Sequence, residues 1–442
     1  GRTLLRFDLT DLTDSITVKI FLKEGSELEL KVGMYVLVRG SVITDRHTQE
    51  LTLMANDICQ HERPSRHDDA AEKRIEFHFH SKMSAMDATT DLKKAFALAA
   101  DWGHPAIAIT DHGVVQAFPE AHQLGKKYGV KVIYGMEGYL VDEPNGPSYH
   151  IVILARNRVG LKNLYRLVSL SHVQYFYRTP RIPREELIRH REGLLLGSAC
   201  EAGELYQALL AGEPAEKLAQ VASFYDYLEI QPLANNAFLL RGGKLSSQEE
   251  LMKLNELIVN LGRELNLPVV ATGDVHFLNP EDSIYREILL AGQGYEDAAY
   301  QPPLYLRTTT EMLDEFAYLG EETAWEVVVA NPGKIAAAIE DIAPIPDGLH
   351  PPHIPRAEEE IREMSWGQLR KLYGSQPPEL VTARLERELE AICDNGYASL
   401  YLIAHRLVQK SLSDGYLVGS RGSVGSSLVA TLCGITEVNP LP

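Results

Sequence analysis

A short apolar run ending beside a histidine, carboxylate or thiol recurs through the middle of this chain. That recurrence restricts the fold to a sheet or barrel with its chemistry gathered at one end of the strands. The stretch from Arg74 to Asp87, RIEFHFHSKMSAMD, opens the series. Ile75, Phe77 and Phe79 alternate with Glu76, His78 and His80, which predicts a strand with both imidazoles on one face and Asp87 in the loop that follows. Ala106 to Thr110 leads into Asp111-His112, and Lys131 to Tyr134 into Gly135-Met136-Glu137. Tyr149-His150 opens the run IVILA, Gly193 to Gly197 leads into Ser198-Ala199-Cys200, and Pro268 to Thr272 into Gly273-Asp274-Val275-His276. Tyr227 to Gln231 has the same rhythm without an evident ligand pair. These seven runs, most of them separated by helical stretches, predict a parallel α/β sheet or closed barrel. Only His150 breaks the pattern, because it stands at the start of its run.

An isolated His-x-His pair is a weak signal, since most are surface or hydrogen-bonded histidines. The pooled set is His78, His80, Asp87, His112, Glu137, His150, Cys200, Asp274 and His276. Five imidazoles, three carboxylates and a thiol exceed what one tetrahedral zinc takes. They suit two or three divalent ions with bridging ligands, an arrangement that clamps a phosphoryl group and activates water.

HFH, TDH, the glutamate of YGMEG, YHIVIL, the cysteine of GSAC and GDVH resemble the ligand motifs of the PHP (polymerase and histidinol phosphatase) superfamily. The wider run resembles the PHP region of PolC-type bacterial DNA polymerase III alpha subunits, and the resemblance extends over essentially the whole chain. It implies a multidomain α/β protein whose centre is a distorted (β/α)7 PHP barrel holding a trinuclear site of zinc, manganese or iron, all nine residues being ligands. A thiolate at Cys200, where many free-standing relatives carry histidine, favours softer metals such as zinc. The implied activity of the barrel is phosphodiester hydrolysis, as a 3′–5′ exonuclease or pyrophosphatase, with Asp274, Glu137 or His112 assisting. The alternative is a metal-stabilised scaffold without catalysis.

Residues 1–62 read as short alternating strands with turn signals between them, the pattern of a small Greek-key barrel. They resemble the OB-fold that precedes the PHP domain in PolC enzymes, with the first strand of that fold expected upstream of Gly1. Arg6, Lys19, Tyr35 and Arg39 are the candidates there for contact with single-stranded DNA; ordinary outward-facing barrel residues are the alternative. Residues 63–73 form a polar linker, and 74–343 the PHP domain. Where PolC relatives usually carry an inserted proofreading exonuclease, VDEPNGPS (141–148) reads as a short turn, either because this member lacks the insert or because the turn has been put in its place, the second being the reading preferred. The stretch YFYRTPRIPR, 175–184, is expected as a basic, aromatic loop.

A second linker spans 344–353, and 354–442 reads as capped helices followed by GSRGSVGSS. This loop lacks the lysine and spacing of a P-loop. Its glycines and hydroxyls, opening the helix LVATL, suit a phosphate cradle at a helix N-terminus. The segment resembles the start of the palm in this polymerase family. The resemblance implies that Arg421, Gly422, Ser423 and Ser426 bind the triphosphate of an incoming deoxynucleotide, and that the palm carboxylates and their magnesium lie beyond Pro442. Implied partners are template-primer and single-stranded DNA, deoxynucleoside triphosphates and, through other regions, replisome proteins such as the sliding clamp.

The formal charge of −18 argues against indiscriminate nucleic-acid binding, so any DNA contact must be local. Cys59, Cys200, Cys393 and Cys433 have no disulfide spacing, and no secretory signal or membrane-spanning run is legible. A bacterial cytoplasmic location without a membrane partner is expected.

Overall fold

The computed structural model describes residues 2–11, 14–23, 28–46, 48–61, 66–143, 146–348, 350–419 and 422–441. They fall into two compact units, 1–345 and 346–442.

The first unit opens with four long strands, β1 (Arg2–Thr10), β2 (Ser15–Lys23), β3 (Val36–Thr44) and β4 (Leu51–Gln60). They form one sheet in the order β1-β2-β4-β3. The pairs β1/β2 and β3/β4 are antiparallel and β2/β4 is parallel, with a register shift between Arg39 and Gly40. Gly40 is required there, because a Cβ would lie 2.2 Å from the Met54 carbonyl oxygen.

The remaining strands are β5 (Ala106–Ile109), β6 (Lys131–Val141), β7 (Tyr149–Ala155), β8 (Phe176–Tyr177), β9 (Thr179–Pro183), β10 (Leu194–Gly197), β11 (Leu228–Ile230) and β12 (Val269–Ala271). Between and after them lie α1 (Leu92–Trp102), α2 (Phe118–Tyr128), α3 (Arg158–Val173), α4 (Arg184–Arg189), α5 (Glu204–Leu210), α6 (Ala215–Ala222), α7 (Phe238–Arg241), α8 (Gln248–Leu265), α9 (Ser283–Gly292), α10 (Thr309–Glu315), α11 (Glu321–Trp325) and α12 (Asn331–Ala338). Their ends follow local chemistry. Asp91 and Asn157 cap α1 and α3 by accepting from Lys94 N and Gly160 N, and Gly103 closes α1 in the left-handed region.

Strand pairing runs β12-β11, across a Tyr227–Gly197 bridge to β10, then β10-β7-β6-β5. A bridge from Ile107 to Glu76 and another from Phe79 to Val275 bring the succession back beside β12. The sheet is not the parallel one expected, because β7 is antiparallel to both β6 and β10. That reversal accounts for His150: the start of β7 pairs with the far part of β6, His150 opposite Tyr139, and so reaches the same end as the C-termini of the parallel strands.

Two further expectations change. The Ile75–Phe79 run makes single bridges rather than a regular strand. Ile75 and Phe77 pack with Ala108, Ile133, Val152, Tyr227 and Val270, while Phe79 packs with α1 and α2. The stretch 175–184 is not a loop: it contains the hairpin β8–β9, with β9 paired in parallel to the end of β6.

Close approach is tightest where α3 begins. A Cβ on Gly160 would lie 1.8 Å from the Gly193 carbonyl oxygen, and backbone cannot swing aside as a side chain can. Gly160→Ala is expected to cost about 3 kcal/mol, read as a lower urea midpoint with unchanged slope. Gly333→Ala in α12, which meets nothing within 4 Å, is expected to be neutral or slightly stabilising. Equal effects from the two substitutions would contradict this account.

The second unit packs α13 (Ala357–Tyr373), α14 (Glu379–Asp394), α15 (Ala398–Ser413) and α16 (Leu428–Leu432) around Ile361, Leu369, Leu385, Leu389, Leu402 and Val429. No helix among the described residues is long and apolar enough to cross a membrane.

Candidate metal centre

All nine side chains singled out in the sequence meet at one end of the central strands. Glu137, 1% exposed, is the hub. Its Oε1 lies 3.2 Å from His78 Nε2, 2.9 Å from His150 Nδ1 and 3.6 Å from Cys200 Sγ. Its Oε2 lies 2.9 Å from His112 Nδ1 and 3.5 Å from His80 Nε2. Asp274 Oδ1 is 3.4 Å from both His78 Nε2 and His80 Nε2 and 3.6 Å from His276 Nδ1. Asp87 Oδ2 closes the other side, 3.1 Å from His112 Nε2 and 3.4 Å from His276 Nε2. Four overlapping triads have their donor atoms within 4.8 Å of one another: His80-His112-His276, His78-His80-Asp274, His112-Glu137-His150 and Cys200-Glu201-Asp274.

The arrangement fits divalent cations. His78 Nε2, His80 Nε2, His112 Nδ1 and Asp274 Oδ1 are buried and lack a hydrogen-bond partner among the described residues, yet all four face the same centre. Asp274 is held at φ +51° and Ala199, beside Cys200, at φ +59°, left-handed conformations that aim these ligands inward at some cost. The electrostatics agree. Burial alone would push His78 down, but Asp274, Glu137 and Glu229 raise it well above the ordinary imidazole value. His112 is likewise raised to about 10, against burial, by Glu137 and Asp87. Glu137, Asp274 and Asp87 are all held below the usual carboxylate range, against burial, by the surrounding imidazoles. His80 goes the other way, lowered by burial and by the charges of His112 and His276.

Behind the cluster stands a layer that the sequence reading missed. Glu229, at the centre of β11, accepts from His78 Nδ1 at 3.0 Å and from Thr272 Oγ1 at 3.0 Å. Asp111 accepts from Ser81 and Ser84, and the Ser84 hydroxyl meets His80 Nδ1 at 2.9 Å. Such partners fix ring orientation and ligand basicity, so Glu229→Gln is expected to weaken metal binding about 10- to 100-fold. Chelator competition would check this, and affinity equal to that of the parent would contradict it. The signal for Glu229 was present: it is a carboxylate between Leu228 and Ile230 in a strand otherwise fully buried. Arg286 had no local signal. It reaches from α9 to donate to Asp87 Oδ1 at 2.6 and 2.9 Å.

Over the cluster opens a cleft of about 330 Å³, lined by seven of the nine residues together with Glu201, Arg241, Arg286, Tyr295 and Tyr300. His78 and His80 do not line it and are fully buried.

The other sequence candidates do not gather into a site. Arg6 and Lys19 are cross-strand neighbours, but Lys19 is paired with Asp45; exposed Arg39 is paired with Asp57; Tyr35 lies just before β3. In the second unit, Arg421 lies outside the described residues. Gly422 is left-handed at φ +68°, and Ser426 Oγ donates to the Ser423 carbonyl at 2.6 Å. The expected phosphate cradle lies at the N-terminus of α16. Glu388 already sits there, accepting from Val429 N at 3.1 Å and Ser427 Oγ at 2.9 Å, while Ser427 caps Ala430 N. An anion would have to displace that carboxylate.

Two family models match, the PHP domain over residues 76–232 and the bacterial DNA polymerase III alpha NTPase domain over 359–442. Curated relatives align along the full chain: DNA polymerase III PolC-type of Clostridium perfringens at 38% identity and that of Bacillus subtilis at 36%. The chain spans about half the length, 45%, of each. The first alignment occupies 647 positions against the 442 residues here, a difference of 205. Among solved structures, similarity is found to a two-domain protein from Bacteroides vulgatus containing a predicted PHP-like metal-dependent phosphoesterase (12% identity, 49% of this chain and 57% of that one, TM-score 0.28). An amidohydrolase from Chromobacterium violaceum is also similar (14% identity, 46% and 88%, TM-score 0.29). With the PHP and alpha-subunit segments in this order, the chain is similar along its whole length to PolC-type bacterial DNA polymerase III proteins, of which it spans less than half.

Proposed function

We propose that the nine-residue cluster binds two or three divalent ions (zinc, manganese or iron) and cleaves phosphodiester bonds of single-stranded DNA, within a protein whose larger task is template-directed DNA synthesis. The cleft carries this reading, because a purely structural metal site needs no opening of 330 Å³ above its ligands. Bound ions supply Lewis-acid polarisation of a phosphoryl group and activate water near neutral pH. The chain's own groups do the rest. His78, His80 and Asp274 would hold the deep ion, and Glu137, central to the cluster, would bridge. His112, Asp87, His276, His150 and Cys200 line the open side. Arg241, whose Nη2 donates to the Tyr300 carbonyl at the cleft wall, is placed to meet a phosphate.

The finer architecture supports the same frame. The succession of pairings that returns to its first segment fits a distorted seven-stranded PHP barrel. The order β1-β2-β4-β3 with one parallel pair fits four strands of an OB-fold. The 205 extra alignment positions fit a relative-specific insert, such as an exonuclease, missing between β6 and β7. Residues 354–442 are read as the helical approach to the palm, with Arg421, Gly422, Ser423 and Ser426 as the residues that would take nucleotide phosphate, an anion there displacing Glu388 from Val429 N; magnesium, deoxynucleotides, template-primer and the clamp belong to the longer protein.

The test is manganese-dependent release of nucleotides from a 3′-labelled single strand, alongside hydrolysis of bis(p-nitrophenyl) phosphate. Both are expected to stop with chelator and to fall at least about 100-fold in Asp274→Asn. A metal-loaded protein that cleaves neither substrate would leave the cluster as a scaffold.

A further inference from the structure

We infer that the exposed face of α3 and the adjoining β8–β9 hairpin form a track for single-stranded DNA leading to the rim of the metal cleft. The charge distribution is the first observation. Between Arg156 and Arg184 there are seven arginines and lysines and no aspartate or glutamate, in a chain whose net charge is −18. Structure then separates the committed cations from the available ones. Arg181 is buried and donates to the Tyr177 and Gly146 carbonyls, and Arg184 pairs with Asp142 and Glu204. Arg158, Lys162 and Arg166 are exposed, four residues apart on one face of α3, and no ion pair engages them among the described residues. Like charges at this spacing destabilise a helix unless an anion lies across them.

Beside this face runs a groove of about 660 Å³, lined by Lys162, Tyr165, Arg166, Gln174, Arg189 and His190 among others. The acid in its wall, Glu186, is already held by Arg189 at 2.6 Å and by the Tyr175 hydroxyl at 3.2 Å. Where α3 ends, the chain exposes two aromatic rings, Phe176 (57%) and Tyr177 (45%), with the Arg178 guanidinium 5.5 Å from the Tyr177 ring centre. Cations that follow a backbone and rings on which bases stack are what a single strand requires; a duplex would offer no free base faces. The track also has a destination. His172 Nε2 lies 2.9 Å from the Gly113 carbonyl, and Pro180 packs on Gly113, the residue after ligand His112.

Binding along this track is independent of catalysis; only its use in feeding a strand to the cleft rests on the function proposed above. The experiment is fluorescence anisotropy with a labelled oligo-dT of about 16 nucleotides in chelator, on the full chain, as a function of salt. Arg158→Gln/Lys162→Gln/Arg166→Gln keeps helix propensity and is expected to weaken binding at least about tenfold and flatten the salt slope by ~2. Phe176→Ala/Tyr177→Ala is expected to weaken binding about tenfold without changing that slope. Lys126→Gln/Lys127→Gln, exposed cations on α2, serves as the control and is expected to leave binding unchanged. Parent-like binding by both track variants, an equal loss in the control, or tighter binding of duplex than of single strand would overturn the inference. Bis(p-nitrophenyl) phosphate separates the two readings. If the track variant alone loses strand binding while no protein hydrolyses the small diester, the track stands and the catalytic reading fails.

Discussion

Replacing His78 and His80 together by alanine is expected to remove most of the bound metal, from two or three ions per chain to fewer than one. Both rings are fully buried, and both face Glu137 and Asp274 at 3.2 to 3.5 Å. Glu229 and Ser84, the partners on the far side of these two rings, are spent orienting them. Metal also carries stability. A ligand present at a thousandfold its Kd contributes about 4 kcal/mol. At roughly 2–4 °C per kcal/mol for a domain of this class, chelator should lower the Tm of the parent by about 8–16 °C and barely move that of the double variant. Elemental analysis of gel-filtered protein and paired melts, with and without chelator, check both statements. Asp87→Asn, at the cleft rim, separates ligand loss from misfolding: it should lower the metal count while leaving the chelator-treated Tm near that of the parent. Parent protein that is metal-free after dialysis against zinc or manganese, or a double variant that keeps its ions, would refute the cluster's role.

The cluster was legible in the sequence because strand chemistry is local. An apolar run with a polar residue at its end identifies both the strand and the end, and nine such residues needed no knowledge of how the strands pair. What depended on pairing was not legible. Nothing in YHIVILA states that β7 runs against β6, so His150 looked misplaced until the register with Tyr139 located it. Glu137 was expected just past a strand ending at Tyr134, but β6 continues to Val141 and the carboxylate projects from mid-strand. Arg286 lies 199 residues from the Asp87 it holds, a separation at which no sequence period operates. The occupant of the phosphate loop was hidden for a related reason. A glycine-serine stretch before a helix predicts free N–H groups, and only the fold reveals that Glu388, on another helix, accepts from that of Val429 while Ser427 accepts from that of Ala430.

Arg74→Ala is expected to be the most damaging single substitution in the first unit, although Arg74 touches no candidate ligand. Its guanidinium pairs with Glu76, and both side chains are fully buried. Nη1 also donates to the Arg307 carbonyl at 3.1 Å. Removing one member of a buried pair strands the other charge and costs about 3–5 kcal/mol, whereas removing both costs far less. Glu76 holds more than its partner: it accepts from the backbone N–H of His78 at 3.0 Å and from that of Gly273 at 3.0 and 3.1 Å, the latter adjoining Asp274. A carboxylate that draws in water or a proton in place of Arg74 would loosen two ligand-bearing segments at once. Arg74→Ala should therefore lower both the urea midpoint and metal affinity, the latter by about tenfold or more, as loss of an outer partner of a ligand does. Arg74→Met/Glu76→Gln should recover much of the stability, since no charge is left buried, and part of the affinity, since the glutamine carbonyl still accepts from one N–H. Recovery of stability with no recovery of metal would mean that the pair supports only the core. A single variant as stable as the parent would mean that water reaches Glu76 and the pair is not buried in solution.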